Sequence, residues 1–282
     1  RSFRLLALTR PLFMVALRSE SAPMYIDAHC HLEEETYGDE LDAVIERAGE
    51  AGLSHLIAVG ASRVCAGAAE AQALAERYEH IYFTAGIHPH EAQHASAEEI
   101  AKIGGFLDHP KLVALDEIGL DFFYDNSPRD EQSAVFKELL AMSRDANVPA
   151  MFHIRDAHPE SLAIIDEVGL PERGAVVHCF TAGPAEAQEY LKRGVYLSIP
   201  GVVTFKKAEE LRQAVAEIPL ERMLIETDCP YLAPVPYRGK RNEPAYVVKT
   251  AEKIAEIKNL ALEEVAQATT LNASTFYQLN GP

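Results

Sequence analysis

Six side chains with the chemistry of metal ligands each follow or end a short apolar run of the sequence: His29, His31, Glu117, His153, His178 and Asp228. Runs of this kind are typical of buried β-strands. Imidazole nitrogens and carboxylate oxygens are common protein ligands of divalent cations. If the strand ends converge, these residues can hold two cations that share Glu117, with ligand positions left for water.

The first two histidines illustrate why convergence matters. Residues two apart on a strand point to the same side, so His29 and His31 can present both rings to one point. Taken alone, a His-x-His pair in a chain with 11 histidines is weak evidence for a metal, and a hydrogen-bonded surface pair is the favoured interpretation. The metal interpretation therefore depends on how the other strands end.

Short apolar runs alternate with longer helical stretches from Met24 onward. Strands are predicted near residues 24–31, 55–60, 81–86, 112–115, 149–153, 175–178, 195–199 and 222–228, and two last helices near 246–257 and 262–278. Near-continuous apolar strands are typical of parallel sheets covered on both faces. The pattern predicts an α/β fold, a single (β/α)8 TIM barrel with additional C-terminal helices, whose strand ends carry the chemistry. Two doubly wound domains are the alternative, but no linker is visible near the middle.

Composition narrows the classes of function. The 282-residue chain is 48% hydrophobic, which is ample for a core, and it carries a net charge of −17. That charge argues against non-specific adhesion to nucleic acid or anionic membranes, so a polyanionic substrate needs local cations or metal ions. No apolar run has the roughly 18 residues of a membrane span. The four cysteines lack Cys-x-x-Cys spacing, which favours free thiols and a cytoplasmic location. No obligate protein partner is evident.

The first 23 residues differ from the rest of the chain. They contain four arginines and a single acidic residue, Glu20. This composition resembles a targeting leader, but Arg10-Pro11 interrupts any helix and the apolar run is short. An upstream extension before a natural start at Met24 is the other interpretation, and the one favoured. We expect residues 1–23 to lie outside the fold and residues 24–282 to form the barrel domain.

Seven blocks of sequence are more distinctive than their apolar runs: 27–31 (DAHCH), 86–90 (GIHPH), 117–121 (EIGLD), 153–157 (HIRDA), 178–180 (HCF), 226–234 (ETDCPYLAP) and 236–244 (PYRGKRNEP). Together they resemble the TatD family of metal-dependent deoxyribonucleases, which belong to the amidohydrolase-like barrels. The resemblance covers Met24 to about Leu279.

The resemblance implies a TIM barrel with two divalent metals that hydrolyses DNA phosphodiesters, often from the 3′ end of single strands. Some members are credited with deacylating D-aminoacyl-tRNA. A D-aminoacyl-tRNA deacylase or a small-molecule amidohydrolase using the same binuclear site therefore stays open, and a non-catalytic metal-binding module is less favoured. Histidine with carboxylate suits Zn²⁺, Mn²⁺ or Ni²⁺ and, less well, Mg²⁺.

Asp228 and Glu117 are the expected catalytic residues. We expect Asp228 to hold and deprotonate the attacking water, although it could be a structural ligand only. His88 could contact phosphate or orient a ligand, or could simply be hydrogen-bonded. The cations expected to contact substrate are Arg155, Arg238, Lys240 and Arg241, the last three of which could equally form a solvated turn.

Strand alternation also predicts which side chains point away from the ligands. Asp116 stands where a glycine usually precedes the glutamate of the family, and it should face away from the barrel rim if the strand persists there. The cysteines at 30, 179 and 229 are each adjacent to a proposed ligand, so they should face the helices wherever the strand persists.

Overall fold

Eight parallel strands form one sheet whose neighbours follow the order of the chain in the computed structural model, which describes residues 24–279. The strands are β1 (Tyr25–Cys30), β2 (Leu53–Ala58), β3 (Ile81–Ala85), β4 (Leu112–Asp121), β5 (Ala150–Arg155), β6 (Ala175–Val177), β7 (Tyr196–Ile199) and β8 (Met223–Ile225). Beyond β8, the Asp228 amide donates to the His29 carbonyl at 3.1 Å and the His31 amide donates to the Cys229 carbonyl at 2.8 Å. These bonds bring the last strand back to the first, so the predicted barrel is confirmed.

Helices separate the strands and cover the outside of the barrel. They are α1 (Glu34–Tyr37), α2 (Leu41–Glu50), α3 (Ala66–Arg77), α4 (Ala97–Gly104), α5 (Arg129–Ala146), α6 (His158–Val168), α7 (Pro184–Lys192), α8 (Glu209–Glu217), α9 (Val247–Lys258) and α10 (Leu262–Tyr277). The last two confirm the predicted additional C-terminal helices. No helix within residues 24–279 is both long and apolar enough to cross a membrane.

Two predicted strand ends differ from the observed ones, since β4 is longer and β8 is shorter than the sequence pattern indicated. β4 runs on to Asp121 rather than ending at Leu115, because it continues to pair with β5 as far as Arg155. Polar residues inside a strand interrupt the apolar pattern from which the ends were predicted. The predicted leader, residues 1–23, and residues 280–282 lie outside the described residues, so the domain boundary at Met24 stays a prediction.

Apolar side chains fill the interior of the barrel and close one end of it. Inward-facing residues such as Ile57, Met151 and Leu224 form a cluster that also contains Phe276 and Tyr277 of α10. The Tyr277 hydroxyl donates to the carbonyl of Ala28 at 2.9 Å. The helix α10 covers one end of this packed interior. The polar side chains lie at the opposite end, where the strands finish.

Two glycines allow neighbouring strands to approach closely on either side of Glu117. A Cβ on Gly86 would lie 1.7 Å from the Asp116 carbonyl oxygen, and one on Gly119 would lie 1.9 Å from the His153 carbonyl oxygen. Gly119 also has a φ of +154°. These two residues therefore permit β4 to lie tightly between β3 and β5, on either side of Glu117.

Replacing Tyr277 with phenylalanine should lower the free energy of unfolding by about 1–3 kcal/mol, because it leaves the buried Ala28 carbonyl without its donor. Urea denaturation of both proteins measures this loss. The matched control is Tyr124→Phe, whose side chain is 53% exposed, and it should change stability by less than about 0.5 kcal/mol. Equal effects of the two substitutions would contradict a structural contribution of the Tyr277 hydroxyl.

Candidate metal centre

Four donor atoms from β1, β4 and the segment after β8 converge at the mouth of the barrel. Glu117 Oε1 lies 3.7 Å from His29 Nε2 and 3.5 Å from His31 Nε2. Asp228 Oδ1 lies 3.7 Å and 3.5 Å from the same two nitrogens. We call these four residues the first donor group.

The second oxygen of Glu117 faces three other histidines. Glu117 Oε2 lies 3.5 Å from His88 Nε2, 3.6 Å from His153 Nδ1 and 3.4 Å from His178 Nε2. The His153 nitrogen is also 3.3 Å from that of His88 and 3.2 Å from that of His178. We call Glu117 and these three residues the second donor group. One carboxylate therefore belongs to both groups, through a different oxygen in each.

The spacing of the donors fits divalent cations. Ligands bonded tetrahedrally to one ion at about 2.0–2.2 Å lie roughly 3.3–3.6 Å from one another. The distances to Glu117 and Asp228 lie in or within about 0.1 Å of that interval. His29 Nε2 is buried and has no hydrogen-bond partner among the described residues. A buried polar atom of this kind is costly unless a further group binds it.

Electrostatics favour a bridging carboxylate that is ionised. Glu117 is only 4% exposed. Burial opposes its ionisation, yet the facing imidazoles of His153 and His178 hold the pKa of Glu117 well below its usual range. Burial and the neighbouring His178 hold the pKa of His29 well below its usual range, which keeps that ring neutral and able to coordinate.

His88 belongs to the second donor group rather than to its periphery. It precedes a short 3₁₀ turn, Pro89–His94, and its Nδ1 accepts a hydrogen bond from the His90 amide at 3.1 Å. That bond directs Nε2 towards Glu117. From the sequence, His88 was expected to contact phosphate, orient a ligand or simply be hydrogen-bonded; the structure adds direct coordination as an option.

Three carboxylates lie behind the histidines and were given no such function from the sequence. Asp121 Oδ2 accepts hydrogen bonds from His153 Nε2 at 3.1 Å and His90 Nε2 at 2.9 Å. Glu226 Oε1 lies 3.7 Å from His178 Nδ1. Carboxylates in these positions orient coordinating rings and raise their basicity. Asp121 and Glu226 both lie in sequence blocks that resemble the TatD family, and that resemblance could have indicated their importance.

Asp116 is the third of these carboxylates, and its predicted orientation is wrong. Its side chain is fully buried, accepts a hydrogen bond from the Thr84 hydroxyl at 2.9 Å and lies 3.5 Å from His29 Nδ1. The register of β4 against β5 shifts between Leu115 and Ile118. An irregularity of this kind breaks the alternation of side chains, so Asp116 and Glu117 both face the site.

The predicted burial of the cysteines on the helix side is confirmed for Cys30 and Cys229, whereas at Cys179 the strand on which the prediction depended has already ended. Cys30 and Cys229 are buried in the apolar layer between strands and helices. Cys179 has a φ of +44°, which turns it out of the strand pattern. Burial, followed by the negative charges of Asp228 and Glu226, raises the pKa of the Cys179 thiol well above its usual range.

The expected substrate cations occupy the surface around the mouth. Arg155, at the end of β5, lies over the rings of Phe123 and Tyr124, and Arg238 lies 3.7 Å from the centre of the Phe205 ring. Arg241 is already paired with the Glu40 carboxylate, so it offers less free charge than its type suggests. Lys240 is exposed. Within residues 24–279, no hydrogen bond or ion pair joins any of these four side chains to the donor groups.

Comparison with known proteins identifies the family. A family model described as TatD related DNase matches residues 26–278. The chain belongs to this family. A TatD homologue from Escherichia coli K12, YJJV, has a crystal structure that superposes with a TM-score of 0.85 at 28% identity, over 91% of this chain and 98% of that one.

Two curated relatives extend the comparison. YabD of Bacillus subtilis, named an uncharacterized metal-dependent hydrolase, is 42% identical over 91% of this chain and 100% of its own length. TatD of Citrobacter rodentium, named a 3′-5′ ssDNA/RNA exonuclease, is 35% identical over 89% of this chain and 97% of its own. This TatD-family chain is accordingly a metal-dependent hydrolase.

Replacing Asp121 with asparagine should weaken metal binding by about 10- to 100-fold, because His153 and His90 lose the charged acceptor that orients them. Competition with a chromogenic chelator measures the affinity. Asp125→Asn is the matched control, since Asp125 lies on the same loop but is paired with Arg129 at the surface. An unchanged affinity in Asp121→Asn would show that its bonds to the rings do not support the centre.

Proposed function

We propose that this TatD-family hydrolase removes nucleotides from the 3′ end of single-stranded DNA, using two divalent ions held by the two donor groups. The observation that carries the proposal is the shared carboxylate. Glu117 presents Oε1 to one set of donors and Oε2 to the other. A carboxylate that spans two sets of ligands is suited to a binuclear site. The exonuclease activity for which the Citrobacter relative is named supports the choice of nucleic acid as substrate.

Seven metal ligands are proposed. Six are those predicted from the sequence, and His88 is added to them: His29, His31, Glu117, His153, His178, Asp228 and His88. Three imidazoles around one carboxylate oxygen favour Zn²⁺, Mn²⁺ or Ni²⁺ over Mg²⁺, which prefers oxygen ligands. When bound, two such ions would lower the pKa of a water molecule and neutralise charge on the phosphoryl oxygens.

Asp228 is the proposed general base. Both of its histidine contacts involve Oδ1, so Oδ2 lies outside those contacts. Its side chain is 13% exposed at the mouth of the barrel, whereas Glu117 is nearly enclosed. Asp228 can therefore reach a water molecule that enters with the substrate and accept its proton. Arg155, Arg238, Lys240 and Arg241 remain proposed substrate contacts, and a cytoplasmic location remains a prediction.

The substrate can be tested by offering alternatives to the metal-reconstituted enzyme. A 5′-labelled single-stranded oligonucleotide should shorten to a ladder of products from its 3′ end, while the same strand in a blunt duplex should react much more slowly. A chelator should abolish the reaction. Rapid deacylation of D-aminoacyl-tRNA or hydrolysis of a small amide, with the oligonucleotide left intact, would contradict the nuclease proposal and favour the corresponding alternative.

Asp228→Asn should lower the rate on the oligonucleotide at least about 100-fold, because the amide cannot accept a proton and general-base contributions are typically 10²–10⁴-fold. The amide keeps one oxygen for coordination, so most of the metal should remain. Metal content and rate are measured on the same preparation, with exposed Asp39→Asn as the control. A fully metallated variant that keeps more than about a tenth of the activity would assign Asp228 to coordination alone.

A further inference from the structure

Large aromatic side chains are exposed where the site meets solvent. Phe123, Tyr124 and Tyr231 are 55%, 53% and 60% exposed. Phe123 and Tyr124 follow β4, which carries Glu117, and Tyr231 follows β8 and Asp228. Exposed apolar surface beside a polar site is typical of ligand contact.

Phe123 and Tyr124 form a platform that is built into the site. Their rings pack edge to face with centroids 4.8 Å apart, and the Arg155 guanidinium lies 4.1 Å and 4.8 Å from the two ring centres. Their backbone amides donate to Asp121 Oδ1 at 3.0 Å and 2.9 Å. The carboxylate that orients His153 therefore also fixes this loop. We call these two rings with Arg155 the β4 platform.

Tyr231 lies beside the first donor group. Its ring centroid lies 5.9 Å from that of His31 in an edge-to-face arrangement. Its backbone amide donates to the carbonyl of Asp228 at 3.0 Å. The ring consequently stands beside two proposed ligands, while most of its surface stays open to solvent.

The two aromatic surfaces lie on opposite sides of the donor groups. In an eight-stranded barrel with neighbours in chain order, β4 and β8 are four positions apart and so face each other across the mouth. The donor groups occupy the space between them. A phosphodiester at the donors would place one nucleoside towards each side.

We propose that Tyr231 and the β4 platform stack the two bases that flank the scissile phosphodiester, an inference that rests on the proposed nuclease function. Every base has a π-face, so stacking holds nucleotides without selecting sequence. Bases in a duplex are already stacked and paired, so only an unpaired end can occupy both surfaces. Stacking also needs no net positive charge, which suits a chain with a net charge of −17. Arg155 adds a cation at one of the two surfaces.

The test compares bases with abasic residues in otherwise identical strands. One oligonucleotide carries all its bases, a second has a tetrahydrofuran residue at the 3′ terminus, and a third has it at the penultimate position. The wild-type enzyme should lose about tenfold or more in kcat/KM with each abasic strand, the size expected for one stacked base. Tyr231→Leu and the double variant Phe123→Leu/Tyr124→Leu are assayed on all three.

Each aromatic variant should lose about tenfold on the complete strand, yet lose little further when the base that it stacks is already missing. That non-additivity assigns one base to each surface. Tyr231→Phe and Tyr231→Trp, which keep a ring, should restore most of the lost kcat/KM. The matched control is Leu271→Ala, an exposed apolar residue of α10, which packs at the opposite end of the barrel. Metal content and the thermal midpoint confirm that the variants are folded.

The outcomes separate this inference from the function on which it rests. If the wild type cleaves all three strands equally, or if the aromatic variants lose as much on the matching abasic strand as on the complete one, the stacking inference is wrong and the nuclease proposal stands. If the wild type cleaves none of them, both are wrong.

Discussion

The enclosed carboxylate of Glu117 is the constraint on which the site depends. It has one oxygen among His29, His31 and Asp228 and the other among three more imidazoles. A buried carboxylate is costly unless it is paired. The histidines supply that pairing, and they come from strands and loops spread around the barrel. The closed sheet is therefore what allows one side chain to collect so many partners.

The carboxylates behind the rings carry a second electrostatic cost. Asp116, Asp121 and Glu226 each face the far nitrogen of a histidine, at His29, His153 and His178 respectively. Burial raises the pKa of Asp116 and Glu226, which records the cost of charging them. Asp121 differs, because hydrogen bonds from His153, the Tyr124 amide and His90 outweigh burial and lower its pKa. Protons or bound cations must balance this concentration of acidic groups.

The sequence predicted the barrel and the converging ligands because both follow from simple periodicity. Eight apolar runs define the strands, and parallel strands bring their ends to one rim. Three features escaped that reasoning. The path of the loop that brings His88 to Glu117 has no periodic signal. The register shift that turns Asp116 inward and the positive φ of Cys179 are local departures from alternation. Periodicity describes a regular strand, whereas Asp116, His88 and Cys179 lie where the backbone departs from one.

Asp121 joins two parts of the site that are usually discussed separately. Its Oδ2 holds His153 and His90, and its Oδ1 holds the amides of Phe123 and Tyr124. A shift of the His153 ring is therefore transmitted through one rigid group to the loop at the surface. Thermodynamic linkage then requires reciprocity. If an ion bound at His153 raises the affinity of that loop for a ligand by some factor, the bound ligand must raise the affinity of the site for the ion by the same factor.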